Sequence, residues 1–172
     1  FRWRYPVTSM SWVPVVDLDE AGASDAVAEA CRRAGFLTVV GHRVASTVLD
    51  DAWRTAREFF DLPLEQKMSV AMPRPGYPYG YSPMAGETLA RSLGRSGAPD
   101  LKESFAIGPV ERPTHTITDP DESFAWSENQ WPDALPALRP AWERYFREMS
   151  DLAARLLRLM AVGLELPESY FD

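Results

Sequence analysis

The sequence predicts an α+β chain, mainly helical, organised around one long central helix with a few short strands. Three observations carry that expectation. Trp142, Tyr145, Phe146, Met149, Leu152, Ala153, Leu156, Leu157 and Met160 recur at three- and four-residue steps between Pro140 and Gly163, which is the period of an amphipathic helix. The early part of the chain reads as strand, helix, strand. Between Met72 and Asp100 lie five Pro, five Gly and three Tyr, a density of breakers that argues for a long irregular segment, and such segments in compact domains are usually functional or mobile.

At 172 residues, 45% of them hydrophobic and six of them Trp, the chain suits one domain with a sizeable core. The formal net charge of −7, with bases scattered among acids, argues against a phosphate-backbone ligand, so no nucleic-acid partner is expected. No apolar run reaches the roughly 18 residues of a membrane span and no leader-like segment opens the chain. The expectation is a soluble, cytoplasmic protein with no membrane partner. Cys31 is the only cysteine, which rules out an intrachain disulfide and a cysteine-rich zinc site, and its place beside Val27 and Ala34 suggests the core.

In chain order, residues 1–12 mix Arg2 and Arg4 with aromatic residues and read as a packing arm. Val13 to Leu18 is a β-branched run with Pro14 near its start, the mark of an edge strand. Ser24 is placed to cap a helix from Asp25 to Ala34 ending at Gly35, and Phe36 to Val40 gives the second strand. From a Ser46 or Thr47 cap, Val48, Leu49, Ala52, Trp53, Ala56, Phe59 and Phe60 keep helical spacing. Leu62 to Lys67 places Pro63 and Glu65 early and Lys67 late, the pattern of a short helix with its dipole complemented. Lys102 to Ile107 alternates and reads as a strand stopped by Gly108-Pro109. From Val110 to Pro132 the expectation is loop. Along the long helix, Glu143/Arg147, Arg144/Glu148 and Asp151/Arg155 are spaced for pairing, and Gly163 before Leu166-Pro167 supplies the stop.

These segments in this order resemble the N-terminal region of the isopenicillin N synthase-like family of iron(II)/2-oxoglutarate-dependent oxygenases. The resemblance is carried by Val13-Pro14-Val15-Val16-Asp17-Leu18, Gly35-Phe36 leading to Gly41-His42, Ala56 to Phe60 and Leu62 to Lys67. It continues through Gly80-Tyr81-Ser82-Pro83 with Gly86-Glu87, Pro99 to Glu103, Asn129-Gln130-Trp131-Pro132 and Gly163 to Pro167. Gly41-His42-Arg43 departs from the Asn-His-Gly common in the family. The resemblance implies a double-stranded β-helix, or jelly-roll, parent of which residues 13–172 form the N-terminal-like region, with the catalytic barrel after residue 172 and therefore missing. Both ends of the chain look cut.

What the family's chemistry requires is iron held by His-x-Asp and a distant His, with an Arg-x-Ser for the cosubstrate. Neither His42 nor His115, the only histidines, begins His-x-Asp. No catalytic residue and no metal ligand is therefore assigned within the chain, and Fe(II) and 2-oxoglutarate belong to the presumed parent without binding this chain alone. His42 reads as a structural turn residue, His115 with Asp119 as a surface loop, Asp119 to Glu122 as a solvated turn lacking a calcium loop's glycine and terminal Glu, and Gly94 to Gly97 as no phosphate cradle. Ser82 and Ser104 lack His and acid partners for nucleophilic catalysis.

The resemblance places Tyr79, Tyr81 and Arg74 beside the barrel mouth as candidate substrate-binding residues, against the simpler reading of Tyr as loop packing. The expected function is the N-terminal part of an oxygenase that oxidises a small organic substrate. Two alternatives stay open: a catalytically inactive binding or scaffold module of the same fold, and an isopenicillin N synthase-type oxidase that does not use 2-oxoglutarate. The expected partners are the substrate and the missing C-terminal barrel, whose absence should leave apolar surface exposed and promote self-association.

Overall fold

The computed structural model describes residues 13–84 and 100–172. The arm at residues 1–12, Gly86-Glu87 and the stretch Gly94 to Gly97 lie outside the described residues. The rest forms two compact units, one of residues up to Ala45 with Glu148–Asp172, the other Ser46–Arg147.

In the first unit, β1 (Val15–Asp17), α1 (Ala23–Arg33) and β2 (Thr38–Val40) form a parallel strand pair joined through a helix. The register pairs Val15 with Thr38, Val16 with Val39 and Asp17 with Val40. Parallel neighbours need such a crossover because one strand end must be carried back to the other's start. Val16, Leu18, Val27 and Ala30 form the core, with Leu152, Leu156, Leu159 and Met160 of the long helix packed on it. Cys31 corrects the sequence reading: it is exposed, because α1 buries Ala23, Val27 and Ala30 and the next residue is rotated about 100° off that face. The helix also starts earlier than expected, with Gly22 as N-cap and no side-chain cap from Ser24.

The departure at Gly41-His42-Arg43 has a structural counterpart. Arg43 sits at φ 62°, the left-handed region that favours glycine. Its guanidinium is bonded to Asp19, with Nε 2.8 Å from Oδ1. Arg155 donates to the same carboxylate at 2.9 Å, to the Gly41 carbonyl at 3.0 Å and to the Leu18 carbonyl. These guanidiniums hold the Asp19 carboxyl below its usual range. Arg43→Gly removes a strained φ costing about 1 kcal/mol and an ion pair that is solvent-exposed and therefore weak. Its expected urea midpoint is therefore within experimental scatter of the parent's, and a loss above about 2 kcal/mol would show that the pair is worth far more than an exposed one.

In the second unit, α2 (Ser46–Phe60) and α3 (Leu64–Met68) precede a two-stranded antiparallel sheet of β3 (Gly80–Ser82) and β4 (Ser104–Ala106). The register pairs Gly80 with Ala106, Tyr81 with Phe105 and Ser82 with Ser104. β3 lies inside the segment expected to be irregular. All three of its residues are buried, so it carries no alternation from which a strand could be read. Val110 to Pro132 is likewise not all loop: α4 (Pro120–Ala125) is capped by Asp119, whose carboxylate accepts from Asp121 N and Glu122 N, with Pro at the first helical turn. That stretch is a helix start instead of a solvated turn, and the Asp-Pro pair was its signal.

The long helix, α5, runs Leu138–Gly163, two residues earlier than its apolar spacing suggests, with Pro140 in the first turn where proline is tolerated. Of the three expected pairs only Glu143 and Arg147 approach, at 3.8 Å. Arg155 turns to Asp19 and two carbonyls instead. The stop also differs: the left-handed residue is Glu165 at φ 59°. Gly163 instead permits close approach to α1, since a Cβ there would lie 2.8 Å from Ala28 Cβ and 2.9 Å from Ser24 O. Val15, Phe36, Trp53, Leu101 and Leu164 remain exposed. Self-association of the chain is accordingly expected in sedimentation, and a purely monomeric profile would refute it.

Candidate functional site

The segment after α3 is built by three tyrosines two residues apart, and each hydroxyl donates to a different partner. Tyr81, on β3, is 1% exposed and donates to Glu103 Oε2 at 2.5 Å. Lys67 Nζ donates to the same oxygen at 2.8 Å and to the Phe60 carbonyl at 3.1 Å, and stands 5.6 Å from the Tyr81 ring centroid. Around this triad Phe59 packs edge-on to Tyr81 at 5.9 Å and lies 4.5 Å from Phe105, which meets Trp142 at 5.5 Å. Burial and the Glu103 carboxylate push the Tyr81 phenol up to about 12. Lys67 and Tyr81 hold the Glu103 carboxyl below its usual range. Both effects follow from one geometry, a part-buried carboxylate accepting from two donors, one of them a buried phenol.

Tyr79 donates to the Ala125 carbonyl at 2.7 Å and Tyr77 to the Glu128 carbonyl at 2.8 Å. Burial raises the Tyr79 phenol, with Tyr77 adding to the shift. Arg74 stacks 5.7 Å from the Tyr77 ring centroid, and among the described residues it makes no ion pair. The sequence-predicted Arg74 and Tyr79 thus lie on the loop that leads into β3, where Tyr81 sits, and this segment is fastened to residues 125–128 and to Glu103.

The loop's far wall is set by Asn129. Its Oδ1 accepts from Gly108 N at 2.7 Å, and its Nδ2 donates to the Gly108 and Pro109 carbonyls at 3.3 Å each. A Cβ on Gly108 would lie 1.9 Å from the Tyr79 ring, so this glycine is required by space. Gly108→Ala is expected to displace Tyr79, break its bond to Ala125 and cost about 1–3 kcal/mol. Chemical denaturation checks the cost, and an unchanged midpoint would mean that the loop yields without strain. Lys67, Glu103, Gly108 and Asn129 had no site role in the sequence reading. Lys67, Glu103 and Asn129 stood only within the ordered landmarks and Gly108 only as a strand stop, since contacts such as Lys67 with Glu103 span 36 residues.

Neither histidine stands in a metal-binding cluster: among the described residues no group of three His, Cys, Asp or Glu could hold a metal ion. His42 Nδ1 accepts from Val44 N at 3.1 Å. His115 pairs with Glu122, not with Asp119, which is engaged as the α4 cap. No described helix is long and apolar enough to cross a membrane.

A family model described as non-haem dioxygenase in morphine synthesis N-terminal matches residues 7–134, a range that includes every residue of the loop and its fastenings. Validamycin A dioxygenase of Streptomyces hygroscopicus subsp. limoneus is 32% identical, over 92% of this chain and 45% of its own length. A 2-oxoglutarate-Fe(II) type oxidoreductase of Emericella nidulans is 30% identical, over 85% of this chain and 41% of its own. Among solved structures, a full-length Neurospora crassa protein in complex with alpha-KG superposes with a TM-score of 0.70 at 26% identity, over 93% of this chain and 49% of that one. The chain therefore spans a little under half the length of the curated relatives it matches.

Proposed function

The chain belongs to the non-haem dioxygenase N-terminal family, and from that premise we propose that it is the N-terminal part of an iron(II)- and 2-oxoglutarate-dependent oxygenase acting on a small organic molecule. The match of the family model over residues 7–134 carries this reading. The residues of this chain do not fit the iron: His42 and His115 serve local bonds, and among the described residues no third ligand joins either. Iron and 2-oxoglutarate, which supply the oxidising chemistry when bound, are assigned to a jelly-roll barrel contributed by polypeptide beyond Asp172. No reaction step is assigned to these residues.

What the chain itself contributes under this reading is shape. The hydroxyls of Tyr79 and Tyr81 are donated to protein acceptors, so these residues fix the form of a loop that lines the substrate's approach, and their contact with substrate is through the ring faces and the remaining lone pairs. Arg74, stacked on Tyr77 with no carboxylate partner among the described residues, is the loop's candidate for a substrate carboxylate. The test is anaerobic calorimetry with iron(II) and 2-oxoglutarate. The full-length protein is expected to bind both and residues 1–172 neither. Iron binding without 2-oxoglutarate binding would favour the oxidase alternative, and binding of neither by the full-length protein would favour the scaffold. A tight, histidine-dependent iron site in residues 1–172 would overturn the division of labour.

A further inference from the structure

We propose that the cleft formed by the stretch after β4, the stretch after α4 and the first turns of α5 binds a small zwitterion, an α-amino acid or a related amino carboxylate. The proposal goes beyond the oxygenase reading and requires neither iron nor 2-oxoglutarate. The cleft has a volume of about 290 Å³ and is lined by Arg112, Arg139, Glu128, Glu143, Trp126 and Trp131. That volume suits a molecule smaller than the usual drug-sized ligand.

The charges decide the ligand's class. Arg112 donates one Nη2 bond to Glu128 at 2.8 Å, and Arg139 donates through Nε to Glu143 at 2.8 Å. A guanidinium has five donors in a fixed fork, so each arginine retains N–H groups with the geometry for a carboxylate. Glu128 and Glu143 are the complementary acceptors for an ammonium. The indole of Trp131 already faces a cation, with the Arg139 guanidinium 5.9 Å from its centroid, and an aromatic face attracts an ammonium in the same way. Among the lining residues two guanidiniums and two carboxylates cancel, and Arg147, 3.8 Å from Glu143, is itself balanced by Glu111. A ligand of net charge would leave one pair of partners unmatched, whereas a zwitterion engages both. The wall is rigid as well, because Asn129 clamps Gly108 and Pro109, which lowers the ordering cost of binding.

The experiment is isothermal titration of the 172-residue chain with L-leucine, N-acetyl-L-leucine and L-leucinamide, whose apolar side chains are the same while the α-charges differ. L-Leucine is expected to saturate one site, and each capped analogue to bind about tenfold more weakly, the equivalent of one charge-assisted hydrogen bond. Arg139→Gln should weaken L-leucine and N-acetyl-L-leucine more than L-leucinamide, and Glu143→Gln should weaken L-leucine and L-leucinamide more than N-acetyl-L-leucine. Arg139 is well exposed, so its replacement leaves the fold intact, which circular dichroism verifies. No saturable heat with L-leucine, equal affinity for all three compounds, or an affinity order unchanged by both substitutions would overturn the proposal.

Discussion

Glu103→Ala is expected to destabilise the second unit by about 3 kcal/mol, at the lower end of what breaking a buried ion pair costs. The substitution leaves the Lys67 ammonium, 8% exposed, with only the Phe60 carbonyl to accept from it. It also leaves the Tyr81 hydroxyl without its acceptor in a ring-lined core. Lys67→Met should cost less, about 1–2 kcal/mol, because Glu103 keeps its bond from Tyr81 and is itself partly exposed, at 28% of its side chain. The order of the two variants is therefore the test, read as urea midpoints at neutral pH. A larger loss for Lys67→Met would show that the carboxylate, and not the ammonium, is the group that cannot be left alone.

The same network gives stability a pH dependence of known sign. Because the folded state holds Glu103 below its ordinary value of 4.5, the unfolded chain binds more protons there, so this contribution is complete above 4.5 and is lost as the pH falls. The Tyr81 phenol is displaced upward from 10.0 to about 12, so its contribution is complete below pH 10 and fades between about 10 and 12. Tyr81→Phe should reduce the alkaline loss, leaving the part due to the raised Tyr79 phenol, and an unchanged alkaline limb would assign it to other groups.

Phe59→Ala is expected to cost about 3–5 kcal/mol, the usual range for deleting a buried aromatic. Phe59 is 0% exposed and touches Phe60, Tyr81 and Phe105 with centroid distances of 5.3, 5.9 and 4.5 Å. It therefore joins α2 to both strands of the β3–β4 sheet, and the cavity left behind lies between rigid rings that cannot collapse onto it. Trp53→Ala, six residues earlier on the same helix, should change little because the indole is 69% exposed. Thermal melts of the two variants compare them directly. Equal effects would mean that the buried ring is not what holds the sheet to the helix.

The elements legible before folding are those whose signal is local and repeated. The stripe from Trp142 to Met160 specified the long helix, and the spacing of Val48 to Phe60 specified α2, because a helix of several turns shows its buried face as a period. The run Val13 to Val40 likewise contained its strand–helix–strand order. The family resemblance was legible for a related reason: its landmarks are short, contiguous and ordered.

What tertiary structure decided has no local period. β3 is three residues long and buried throughout, so its existence depends on pairing with β4. Cys31 and Gly163 differ from their expected roles because neighbouring elements fix which face of α1 is covered and how near α5 approaches it. The Lys67–Glu103–Tyr81 network joins residues 36 and 22 apart. The partners of the three tyrosine hydroxyls, which decide whether those groups face a ligand or the protein, exist only once the segment around Ala125 and Glu128 has been brought beside them. Hydrogen bonds and close contacts depend on distance in space, and a sequence encodes that distance only for neighbours a few residues away.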